Sequence, residues 1–142
     1  MTQSSLIAAR TPQQGAALDG AALVGRLLIA AIFLISGVGK ITAPAGTIAY
    51  IASAGLPFPP LAYSVAVAVE VLGSLALIAG WHTRKAAAVM ALFTLAAAFG
   101  FHAHFGDQNQ FIHFFKNVAM TGGLLQVVAF GAGRFSLDGW RG

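Results

Sequence analysis

One carboxylate stands in the middle of an otherwise apolar stretch: Glu70, within VEVLGSLALIAG at residues 69–80. An uncompensated charge in hydrocarbon costs on the order of several kcal/mol, so an acid placed there has to meet a cation or keep its proton. Arg26, Lys40 and Lys116 each fall inside or at the edge of an apolar segment and compete for it. Glu70 lies about ten residues from either end of its segment, roughly 15 Å deep at the helical rise. Arg26 enters from one side by about six residues, roughly 9 Å. Lys40 and Lys116 start from the opposite side, and Lys116 reaches a comparable depth. A guanidinium suits a desolvated carboxylate better than an ammonium does, so the expected buried charge pair is Glu70 with Arg26. Such a pair serves equally well to fix helix packing without any chemistry.

A second group of polar residues gathers around one loop. His102 and His104 form an H-x-H, followed by Asp107, His113, Lys116 and Asn117. Residues two apart on a helix point to nearly opposite faces, so joint ligation by His102 and His104 needs the helix to end before them. Three imidazoles without a ligand spacing do not define a metal site, and no metal is expected. Haem lacks paired axial ligands at matching depth. A quinone pocket fits the residue types better, because it needs an apolar cleft with one or two donors for carbonyl oxygens. Lys40, His102, Lys116 and Asn117 form the candidate outer-side pocket. Ser36, Ser53, Ser64 and Ser74 sit in no nucleophile motif. Gly122-Gly123 reads as a helix contact rather than a phosphate loop. The chain has no cysteine, which removes thiol chemistry. No catalytic residue is assigned.

These groups need elements to hold them. Of 142 residues, 58% are hydrophobic and 8% charged, with mean hydropathy +0.80. A soluble domain carries roughly a quarter charged residues, so the expected solvent is a lipid bilayer. Residues 1–19 are polar and small and read as a disordered tail. A cleaved signal ending near Ala43-Pro44-Ala45 is disfavoured by the long leader, by Arg26 and by Lys40. Four apolar helices are expected over about 20–40, 61–81, 86–104 and 111–131, making an all-α transmembrane bundle over 20–133. On the first, Arg26, Ala30, Phe33, Gly37 and Lys40 share one stripe. Between the first two, Pro44 starts and Gly55 ends a short interfacial helix, which Pro57, Pro59 and Pro60 stop. On the second, Ala66, Gly73, Ser74 and Leu77 share the face of Glu70. Residues 134–142 form a second tail.

Orientation follows from the basic residues. With four spans, Arg10, Arg26, Arg84, Lys85, Arg134 and Arg141 lie on one side and only Lys40 and Lys116 on the other. The positive-inside rule makes both termini cytoplasmic. The net charge of +4 is thereby a matter of topology; the cations form no patch, and no nucleic-acid partner is expected.

FLISGVGKITAPAGTIAYIASAGLP, VEVLGSLALIAGWHTR, FHAHF and FFKNVAMTGGLLQVVAFGAGRFSLD, in this order, resemble the DoxX family of small bacterial inner-membrane proteins. The resemblance spans roughly residues 23–138. It departs where the family often has two glycines after the glutamate and this chain has Gly73-Ser74. The matching positions are Arg26, Lys40, Glu70, His102, Lys116, Asn117 and the Ser136-Leu137-Asp138 tail. The resemblance implies a four-helix inner-membrane protein serving as membrane subunit or anchor of a redox system. The resemblance assigns no cofactor; quinone is the one it leaves open, and a redox enzyme subunit is the implied partner, as in thiosulfate:quinone oxidoreductase and oxidative-stress complexes of the wider family, so that without cysteine the chain is limited to quinone handling or scaffolding. Two alternatives stand beside it: a structural scaffold without chemistry, and a small-solute or proton-linked transporter using Glu70. The transporter would need a homo-oligomer, because four spans leave little room for alternating access.

Overall fold

The computed structural model describes residues 12–141. It contains six helices in this range: α1 Pro12–Thr42, α2 Pro44–Ser53, α3 Pro59–Ala79, α4 Thr83–His102, α5 Gln108–Phe130 and α6 Leu137–Arg141. Residues 12–19, expected in a disordered tail, instead form the first two turns of α1. Residues 1–11, including Arg10, lie outside the described range. At 31 residues α1 is about 46 Å long, more than the ~30 Å of hydrocarbon, so its polar first turns continue as helix beyond the apolar part.

The four long helices alternate in direction. They pack in a ring in which α1 lies on α3, α3 on α4, α4 on α5, and α5 returns to α1. Their common core is Ala30, Phe33, Leu77, Ala87, Met90, Ala91, Leu124 and Val127. Among the described residues three helices are long and apolar enough to cross a membrane: Gln13–Thr42, Pro59–Ala79 and Thr83–His102. The 23-residue α5 has the length, but Gln108, Asn109, Gln110, His113, Lys116 and Asn117 make its first half polar.

The ends of the helices follow local chemistry. Pro44 opens α2, and Gly55, with φ 76°, follows its end. Pro59 and Pro60 open α3, where a missing N–H costs nothing. Gly80, with φ 67°, closes α3, and the N–H groups of Gly80 and Trp81 both reach the carbonyl of Ala76. Asp107 caps α5 by accepting from the Gln110 N–H at 2.9 Å.

The expected stripe on α1 is turned inward: Arg26, Ala30, Phe33 and Gly37 are buried and Lys40 is half-buried. Gly37 lets α3 approach, since a Cβ there would collide with Val71 Cγ2 at 2.8 Å and crowd Glu70 Cβ at 3.2 Å. On α3, Ala66, Glu70, Ser74 and Leu77 form the buried face. The bundle has two dissimilar ends. One carries α2, the 54–58 loop and the 103–107 loop. The other carries the 80–82 turn, the 131–136 segment and α6.

Candidate functional site

At the α2 end the bundle opens into a cavity of about 600 Å³. Phe33, Ile51, Leu61, Val65, Phe93 and Met120 supply much of its apolar wall. All four residues of the candidate pocket, Lys40, His102, Lys116 and Asn117, line it, and so do Glu70 and His113. Every long helix contributes, and α2 with the 54–58 loop forms one side.

Glu70 is paired, but not with Arg26. The Lys40 ammonium donates to the two Glu70 carboxylate oxygens at 2.9 and 2.8 Å and to Ser36 Oγ at 2.7 Å. Its three donors are thus all engaged. The Glu70 side chain is 7% exposed and that of Lys40 24%. The expected Glu70–Arg26 pair fails on register. Gly37 packs against Glu70, which puts Lys40 within one turn of the carboxylate. Arg26 lies eleven residues before Gly37, roughly 16 Å away along the axis. Depth counted from helix ends missed this; the small residues around Ser36-Gly37 were the signal that α1 and α3 meet there.

Across the cavity, His102 and His113 stack with ring centroids 5.1 Å apart. His102 Nδ1 lies 2.7 Å from Gln110 Oε1, and Lys116 Nζ lies 3.0 Å from His113 Nδ1. An ammonium only donates, so His113 Nδ1 accepts and the ring proton is on Nε2. Lys116 has no acidic partner; the Lys40–Glu70 pair is the one salt bridge among the described residues. Gln110, absent from the expected pocket, orients His102. His104 lies past the end of α4 and is exposed, so the H-x-H is split between the cavity and the surface. Among the described residues no group of three His, Asp or Glu is placed to hold a metal ion.

The opposite end is closed around Arg26, which is fully buried. Its two terminal nitrogens donate to the carbonyls of Leu77 and Phe135, each at 2.7 Å. Its Nε has no acceptor among the described residues. The C-terminal segment folds over this end. The Asp138 N–H donates to the Gly80 carbonyl at 2.8 Å. The Asp138 carboxylate accepts from the His82 N–H at 2.9 Å, the Thr83 N–H at 2.8 Å and the Thr83 hydroxyl at 2.7 Å. It thereby caps α4 from 55 residues away in sequence. Burial by itself would raise this carboxyl, but the bonds from Thr83 and His82 outweigh it and hold the group below the usual carboxylate range. His82 adopts φ 44°, a left-handed conformation that costs on the order of 1 kcal/mol in a non-glycine residue, and its N–H bond to Asp138 offsets that strain. Ser136 sits directly over Gly80, which has no room for a side chain.

The arrangement is similar to known proteins over most of its length. The family model for DoxX matches residues 21–103. Inner membrane protein YqjF of Escherichia coli strain K12 is 38% identical over 120 residues, covering 84% of this chain and 91% of that protein. The chain belongs to the DoxX family. Inner membrane protein YphA of the same organism is 35% identical over 130 residues, covering 87% and 92%. No solved structure gives a significant match. The DoxX match contains Arg26, Lys40, Glu70 and His102. Lys116, Asn117 and Asp138 lie beyond it, so the α5 wall of the cavity and the tail over Arg26 fall outside the matched core.

Proposed function

We propose that this DoxX-family inner-membrane protein is a membrane subunit or anchor of a quinone-linked redox system, and that the α2-end cavity receives the quinone. The observation that carries this reading is the meeting of Lys40, His102, Lys116 and Asn117 on one mostly apolar cavity. A volume of about 600 Å³ lies within the usual range for ligand sites. Lys116 retains two N–H donors beyond its bond to His113, and the Asn117 amide faces the same space; these suit carbonyl oxygens. A bound quinone would supply two-electron, two-proton chemistry. The chain's own part is to seat the ring, and His102 and His113 stand where protons would enter or leave. In this reading α5 is the fourth span and both termini are cytoplasmic, which the distribution of lysine and arginine favours.

The test is to purify the protein from its own membranes in mild detergent and quantify co-extracted quinone and co-purifying proteins. Near-stoichiometric quinone, lost in Lys116→Ala and His102→Ala while protein abundance holds, is the expected result. Loss of abundance in both variants would sink the site assignment. A second reading, proton-linked transport of a small solute, draws support from the position of Glu70 on the cavity wall. It predicts pH-dependent flux in proteoliposomes that Glu70→Gln abolishes.

A further inference from the structure

The 80–82 turn and the first turn of α4 carry His82, Arg84 and Lys85, and the proposed function uses none of them. They line a second cavity, of about 430 Å³, at the end of the bundle opposite the first. Phe130 and the Gly131–Gly133 backbone form its other wall. Among the described residues neither Arg84 nor Lys85 has an acidic partner. Asp138 borders the groove, but its carboxylate is taken up by His82 and Thr83 at the start of α4. The Arg84 side chain is exposed and runs beside Gly131. That residue has φ 81°, and a Cβ there would come 3.1 Å from the Arg84 Nε.

An exposed guanidinium beside an ammonium, both on the wall of a groove, is chemistry for phosphate, which a guanidinium takes in a two-pronged fashion. The surroundings are apolar and aromatic. Phe130 lines the groove, and Trp81 and Trp140 adjoin its lining residues in sequence; all three are exposed. Such aromatic side chains seat at the headgroup level of a bilayer. The geometry points to a site for the phosphate of an anionic phospholipid, held by Arg84 and Lys85. Free phosphate shares that chemistry, and the aromatic flank favours the ligand that brings acyl chains.

The full-length protein in mild detergent, offered equimolar phosphatidylglycerol and phosphatidylcholine, is expected to retain phosphatidylglycerol in native mass spectrometry. The double variant Arg84→Gln/Lys85→Gln should retain about tenfold less. His104→Gln, exposed at the other end and outside the first cavity, should retain as much as the parent. Lys85→Gln alone, at an exposed position, gives an independent reading as a severalfold loss. Equal retention of the two lipids, or retention that ignores the double substitution, overturns the proposal. So does full displacement of phosphatidylglycerol by inorganic phosphate, with phosphate alone binding in calorimetry and lost in the double variant; the site would then serve free phosphate.

Discussion

Arg26 and Lys40 lie on the same buried stripe of α1, yet they are put to different uses. Arg26 donates to two main-chain carbonyls at an end sealed by the C-terminal segment. Lys40 donates to a carboxylate on the wall of an open cavity. The difference lies in what surrounds each cation. Arg26 meets the Leu77 carbonyl at the end of α3 and the Phe135 carbonyl in the returning tail. Lys40 meets a carboxylate on a cavity wall that a ligand can approach. A buried charge bound to carbonyls reads as a fastening, whereas one bound to an acid beside free volume reads as part of a site.

The comparison is broken most directly at Arg26. Arg26→Leu strips two carbonyls of their donors and should lower stability by about 3 kcal/mol, seen as an earlier thermal transition in detergent. A variant as stable as the parent would remove the fastening role. Glu70→Gln leaves Lys40 without its counter-ion; because Lys40 is partly exposed, a loss of about 2 kcal/mol is expected. Pairing it with Lys40→Met should cost less than the two single losses added, and strict additivity would show that the pair is not coupled.

Asp138→Asn tests the closed end more gently, with an expected loss of about 1 kcal/mol for a weakened cap. Its pH dependence has a definite sign. The folded-state value of Asp138 is depressed, so its contribution is complete above the ordinary carboxylate value and disappears as pH falls through the lowered one. Thermal transitions followed from neutral to acid pH should therefore fall less in Asp138→Asn than in the parent. Parallel curves would assign the acid sensitivity elsewhere. The smallest effect on stability is expected at Lys116, which is exposed and has no acidic partner: Lys116→Gln should stay within about 0.5 kcal/mol of the parent while losing cavity ligand. A large loss of stability there would make the α5 wall structural and erase the contrast between the two ends.

Much of this was legible from residue types alone. The inward stripe Arg26, Ala30, Phe33, Gly37 and Lys40 follows from helical spacing, as does the buried face of Glu70. Lys40, His102, Lys116 and Asn117 line one cavity, because three of them lie near the loop joining α4 to α5 and Lys40 ends α1 at the same level. The partner of Glu70 was not legible. Depth measured from helix ends does not say where α1 and α3 touch; with Gly37 against Glu70, Lys40 is within one turn of the carboxylate and Arg26 about three turns away. Gln110 was missed because an amide near a helix start carries no signal until its neighbour across the loop is known.

The sequence by itself determined the solvent and the class of fold: too few charges for water, apolar runs long enough for a bilayer, and proline and glycine at the helix ends. It also determined which side chains had to be turned inward, since local periodicity decides which face a residue occupies. The tertiary structure decided how α1 slides along α3, and so which cation meets Glu70. It also decided that Asp138 returns across 55 residues to cap α4 and that the tail closes over Arg26. Those outcomes depend on the register and angle between elements far apart in the chain; small residues such as Gly37 and Gly80 mark where a close approach is allowed, and only the packed structure decides which partner fills it.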